Sequence, residues 1–72
     1  MSIAPLMLET LDPGTRVRAD GDVIYVTEDF EIADGSEGTV ARAWGVGASY
    51  VRWDADSTGR SLLTSHDSLQ RA

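Results

Sequence analysis

Three consecutive residues near the end of the chain, Ser65-His66-Asp67, carry the side-chain types of a hydrolytic triad. In such a triad the imidazole stands between nucleophile and carboxylate, and the three groups converge from separate segments. Sequence neighbours on one turn do not meet that requirement, and His66 is the only histidine. It is expected to be a surface or capping residue near the last turn. Carboxylates are abundant, and Asp54-Ala55-Asp56 has a spacing that could hold a hard cation weakly. No Asp-x-Asp-x-Asp-Gly loop with a closing Glu occurs, however, and Asp20-Gly21-Asp22 is too short for one. Asp side chains that bond to nearby backbone amides in turns explain these pairs better. The glycines form neither GxGxxG nor a P-loop, and the chain has no Lys to reach a phosphate. The chain is therefore expected to be no enzyme, with no metal and no cofactor.

What remains is surface, and its charge is distinctive. The 72 residues carry 12 Asp and Glu against 6 basic residues, a formal net charge of −6, and every basic residue is Arg. This balance argues against direct binding to duplex nucleic acid, which needs a basic footprint over the phosphates. At 42% hydrophobic residues the chain is too apolar for an acidic disordered tail, and its length suits one small domain with a minimal core. With no Cys, neither a disulfide scaffold nor a thiolate metal site supports it. The opening Met1-Ser2-Ile3-Ala4-Pro5-Leu6-Met7-Leu8 is apolar, but it lacks a basic n-region and is cut short by Glu9. A cytoplasmic protein without a membrane span is the expectation.

The elements that must position this surface are short strands. Asp12-Pro13-Gly14 divides a leading segment, over which Ile3, Met7 and Leu11 fit either a short helix or an extended arm, from the rest. Alternation predicts strands at 15–19, 23–27, 38–44, 48–54 and 60–64, with turns at Asp20-Gly21, Gly45-Val46-Gly47 and 54–59. Between 27 and 34 a longer acidic loop is expected, pinned to the core by Phe30 and Ile32. Residues 65–69 suit a single helical turn. The core is expected to hold Val17, Val23, Ile24, Val26, Phe30, Ile32, Val40, Val51, Trp53, Leu62, Leu63 and Leu69. Strands this short, with glycine-rich turns, suggest a small closed barrel without exposed edges.

Pro13-Gly14-Thr15-Arg16-Val17-Arg18, Asp34-Gly35-Ser36-Glu37-Gly38-Thr39-Val40 and Tyr50-Val51-Arg52-Trp53-Asp54 together form a recognisable pattern. It resembles the small bacterial and phage SH3-like barrels, several families of which have no known function. The same Gly-x-x-Gly-x-Val turn recurs in KOW-type modules and in small subunits of redox complexes. The resemblance implies an all-β, five-stranded SH3-like barrel over 13–72, an N-terminal extension over 1–12, and architectural roles for Gly35, Gly38, Val40 and Trp53.

SH3-like barrels bind ligands between the long first loop, the distal turn and exposed aromatics. By that resemblance the site here is acidic: Glu28, Asp29, Glu31, Asp34 and Glu37, with Trp44, Tyr50 and Tyr25 as platforms. Carboxylates beside aromatic rings suit a basic protein surface, because an Arg or Lys stem packs on the ring while its charge is matched. The expected function is a non-catalytic adaptor or regulator, in its sharpest form one that imitates the charge of DNA. Two alternatives are a KOW-like nucleic-acid or ribonucleoprotein module using Arg16, Arg18, Arg42 and Arg52, and a structural subunit of a phage particle or enzyme complex docked through Ile3–Leu11. Net charge and the acidic stretch from Glu28 to Glu37 weigh against the KOW-like alternative.

Overall fold

The computed structural model describes residues 9–72. The leading helix or arm therefore lies, as far as Leu8, outside the described residues. The described chain is all-β, with seven strands: β1 Arg16–Ala19, β2 Val23–Tyr25, β3 Phe30–Ile32, β4 Glu37–Ala43, β5 Ala48–Trp53, β6 Leu62–Ser65 and β7 Leu69–Arg71. A 3-10 turn over His66–Ser68 precedes β7, capped by the Ser65 hydroxyl, which accepts from the Asp67 amide. Among the described residues no helix is long and apolar enough to cross a membrane. Five strands form one antiparallel sheet in the order β6-β5-β4-β1-β7, and β2 and β3 form a separate hairpin.

The two-residue period of a strand decides which side chains enter the core. On β5, Ser49, Val51 and Trp53 are buried while Arg52 faces out, as its alternation predicts. The core gathers Leu11, Val17, Ala19, Val23, Tyr25, Ile32, Val40, Val51, Trp53, Leu62 and Leu69. Ile24, Val26 and Leu63, all expected inside, are instead 66%, 85% and 44% exposed. The reason is geometric. Val23-Ile24 and Leu62-Leu63 are adjacent apolar pairs, so the pleat buries one of each and exposes the other, while Val26 lies past the end of β2. Phe30 is only partly buried, stacked on Tyr25.

Leu11, Ala19 and Tyr25, outside the expected set, belong to the core. Tyr25, expected as an exposed platform, is buried. Its hydroxyl is satisfied inside: the Trp53 indole N–H donates to Tyr25 Oη at 2.8 Å, and Tyr25 Oη bonds Thr64 Oγ1. Other expectations shift by an element. The stretch expected as a loop over 27–34 contains β3, and Leu69, expected to finish the helical turn, opens β7. A three-residue strand with one buried side chain is too short to show a period.

Asp20-Gly21 does turn the chain, with Gly21 at φ +87°, yet β1 pairs with β4 and β7 rather than with β2. The chain instead leaves the sheet, forms the β2–β3 hairpin and returns. Its neck is fastened by reciprocal bonds: Gly21 N–H donates to Asp34 Oδ1 and Asp34 N–H to Asp22 Oδ1, each at 2.8 Å. Just beyond, Ala19 N–H donates to the Ser36 carbonyl and Gly35 N–H to the Ala19 carbonyl.

Candidate functional site

The acidic residues of the sequence fall into two environments. Asp20, Asp22, Glu28, Asp29, Glu31 and Asp34 all lie in residues 20–34, a segment without a single Arg. The other six acidic residues are balanced by six Arg, so the whole net charge of −6 belongs to the β2–β3 excursion. Within it, Asp22 and Asp34 are used at the neck. Glu28, Asp29 and Glu31 make no side-chain hydrogen bond or ion pair among the described residues. They sit at and beside the hairpin turn, where Asp29 N–H bonds the Val26 carbonyl and Asp29 takes φ 53°. Glu31 stands opposite Ile24 in the ladder, so carboxylate and exposed aliphatic share one face.

Glu37 belongs elsewhere. It lies on β4 on the outer face of the large sheet, where it bonds Arg16 at 3.2 Å and Arg18 at 3.3 Å. Arg16 also grips Asp54 through both guanidinium nitrogens, at 2.9 and 2.6 Å, and donates to Thr39 Oγ1 at 2.8 Å. The Asp54 hydrogen bond raises the Arg16 pKa, and the same contact holds the Asp54 carboxyl below its ordinary value. Arg16 and Arg18 are therefore committed to internal carboxylates.

Arg42 and Arg52 lie on adjacent strands and are differently placed. A bulge between Val40 and Arg42 brings Arg42 opposite Tyr50 instead of Ser49. Cross-strand partners point to the same side, so this one extra residue turns Arg42 to the outer face. Its guanidinium lies 4.2 Å from the centre of the Tyr50 ring. Trp44, 62% exposed, meets the same ring edge-on at 6.5 Å. Leu63, opposite Tyr50 on β6, adds apolar surface. Arg52 donates to the Gly59 carbonyl at 3.0 Å. Trp44 and Tyr50, expected to flank the acidic loop, thus contact each other, Tyr50 also contacts Arg42, and among the described residues no ring contact or ion pair joins the two rings to Glu28, Asp29 or Glu31.

The residues first considered for catalysis and metal binding have structural partners. His66, expected at the surface, is buried, because the 3-10 turn points it inward against β5. Its Nε2 lies 2.8 Å from Ser49 Oγ, so its serine neighbour comes from β5, a pairing that spacing alone does not reveal. Both side chains are buried. Asp54 is held by Arg16. Asp56 is buried and accepts from Thr58 N–H, Thr58 Oγ1 and Arg60 Nε, the last at 2.8 Å. No group of three His, Asp or Glu converges among the described residues.

The Arg60 hydrogen bond, opposed by burial and helped by Thr58, keeps the Asp56 carboxyl below its ordinary value. A carboxyl lowered in the fold contributes stability above the unfolded value of about 3.9, and that contribution fades as pH falls through the folded value. Asp56→Asn is therefore expected to lower the urea midpoint most at pH 7, with the gap to the native chain closing below pH 4. A gap of constant size down to pH 2 would show that ionised Asp56 contributes nothing. Compared with protein-family models, with curated proteins and with solved structures, the chain matches none.

Proposed function

We propose that this chain is a non-catalytic SH3-like interaction module of the cytoplasm that presents its acidic hairpin to a basic protein surface. The strand order β6-β5-β4-β1-β7, the long excursion after β1 and the 3-10 turn before the last strand support the SH3-like reading. The observation that carries the function is the segregation of charge. The full −6 lies in residues 20–34, and the three carboxylates at the hairpin tip, beside exposed Ile24 and Val26, have no ion pair or side-chain hydrogen bond among the described residues.

A small domain keeps itself soluble with dispersed charges of both signs. Gathering one sign on a single hairpin instead creates a field that steers a cationic partner and sets its orientation. The exposed aliphatics give that partner's Arg and Lys stems something to cover. The alternative role for Arg16, Arg18, Arg42 and Arg52 on nucleic acid draws less support, since Glu37 and Asp54 neutralise the first two.

The test is binding to a basic peptide and to nuclease-treated bacterial lysate across a salt series. Reversing the tip with Glu28→Arg, Asp29→Arg and Glu31→Arg is expected to weaken binding at least about tenfold, equivalent to 1.4 kcal/mol. The fold should be retained, because none of the three has a side-chain hydrogen bond or ion pair to lose among the described residues. Native binding that added salt does not weaken, or that the reversed variant keeps, would overturn the reading. Retention of nucleic acid that nuclease abolishes would favour the nucleic-acid alternative instead.

A further inference from the structure

We infer that the outer face around Arg42, Trp44 and Tyr50 is a docking site for the acidic hairpin of a second copy of this chain. Four of the six Arg are spent internally: Arg16 and Arg18 on Glu37 and Asp54, Arg60 on Asp56, Arg71 on Glu9. Arg42 and Arg52 have no carboxylate among the described residues. Beside them the sheet carries exposed Trp44 and Leu63 around a half-buried Tyr50. A patch of aromatic rings with two uncompensated guanidinium groups calls for a segment that is apolar and acidic together.

The hairpin tip has that chemistry. It combines exposed Ile24 and Val26 with Glu28, Asp29 and Glu31, which have no ion-pair partner among the described residues. The two patches lie on different elements, so each contact joins unlike surfaces, the hairpin of one copy and the sheet face of another. Charge distribution selects this orientation. Outside residues 20–34 the chain is neutral, so hairpin-to-face docking sets six negative charges against a neutral body in which Arg42 and Arg52 have no carboxylate partner among the described residues, whereas hairpin-to-hairpin contact sets them against each other. Self-association would also hide the hairpin from a basic protein. The inference shares that hairpin with the function proposed above but does not need a foreign partner.

The experiment is sedimentation of the full chain over a concentration series at low and high salt, with oligoarginine binding measured in parallel. The native chain is expected to gain mass with concentration at low salt and to lose that gain at high salt. Arg42→Ala with Trp44→Ala removes the face, and Glu28→Gln with Asp29→Asn and Glu31→Gln removes the charge at the hairpin tip, three of the six carboxylates of residues 20–34. Each variant should associate at least about tenfold more weakly with itself. Mixed together they should form a one-to-one dimer that grows no further, because each supplies one working patch. The face variant should bind oligoarginine as the native chain does, and the hairpin variant at least about tenfold more weakly. A native chain that stays monomeric at low salt, or association that survives either variant, would overturn the inference. So would a monomer whose Arg42 and Trp44 bind a single-stranded oligonucleotide. A monomer that still binds oligoarginine refutes this inference alone, while self-association without oligoarginine binding refutes the proposed function alone.

Discussion

Replacing Gly38 with Ala is expected to cost about 3 kcal/mol, the upper end of what overpacking a tight site costs. A Cβ at this position would stand 2.8 Å from the Arg52 carbonyl oxygen, 2.9 Å from Val51 Cγ1 and 3.0 Å from Trp53 Cε3. The nearest of these is backbone, and Gly38 pairs directly with Trp53 in the β4–β5 ladder. Relief therefore means prising β5 from β4 at the centre of the sheet, not rotating a side chain aside. For a chain of 72 residues, whose whole stability is about 4–11 kcal/mol by the usual per-residue range, that is a large fraction. The melting temperature should fall by roughly 12–24 °C.

Gly35, three residues earlier in the same motif, is the control. It has φ +84° but nothing within 4 Å of a built Cβ, so Gly35→Ala meets left-handed strain alone, about 1–2 kcal/mol. One motif holds two glycines for two different reasons. Thermal unfolding of both variants separates them, and a Gly38→Ala chain as stable as Gly35→Ala would mean that the β4–β5 approach is not under the constraint described.

How much of this was legible in the sequence depends on whether the determinant is local. The strong alternation of 48–53 revealed β5 and its buried Val51 and Trp53, because the pleat is set by neighbours two residues apart. The 38–44 expectation came within a residue of β4, yet the bulge at Ala41 left no local mark, and it is the bulge that decides where Arg42 points. Adjacent apolar pairs such as Val23-Ile24 cannot state which member turns inward; the partner sheet decides that. Charge behaved similarly. The acidic run from Glu28 to Asp34 was plain, but Glu37 looked like part of it until strand pairing placed it against Arg16 and Arg18. His66 and Ser49 are 17 positions apart and meet only because β5 and β6 pair next to the 3-10 turn.

Tyr25→Phe tests the joint that holds the acidic hairpin to the sheet, and its expected cost is about 2 kcal/mol. Thr64 Oγ1 donates to the Leu62 carbonyl at 3.0 Å, which commits its proton. Tyr25 must then donate to Thr64, and the Trp53 indole donates to Tyr25, so the relay has one direction. Phenylalanine fills the same space yet leaves a buried indole N–H without an acceptor, and an orphaned buried donor costs more than a bond is worth. Thr64→Val orphans the phenol instead, so the two substitutions break a shared bond and should combine to less than their sum.

The phenol also has a pH signature. Burial raises the Tyr25 pKa, with Glu28 adding to the effect, so its contribution is complete below the unfolded value of about 10 and fades as pH rises through the folded value. Tyr25→Phe should lack that alkaline loss, which a urea midpoint series from pH 8 to 11 measures; an identical alkaline loss in both chains would assign it to another group. Binding then separates placement from charge. The variant keeps every carboxylate, and the hairpin keeps a second fastening where Arg60, bonded to Asp56, lies 4.9 Å from the centre of the Phe30 ring. If the acidic tip acts mainly through its field, Tyr25→Phe should weaken oligoarginine binding far less than charge reversal does. An equal loss would mean that the partner reads the shape of the hairpin as closely as its charge.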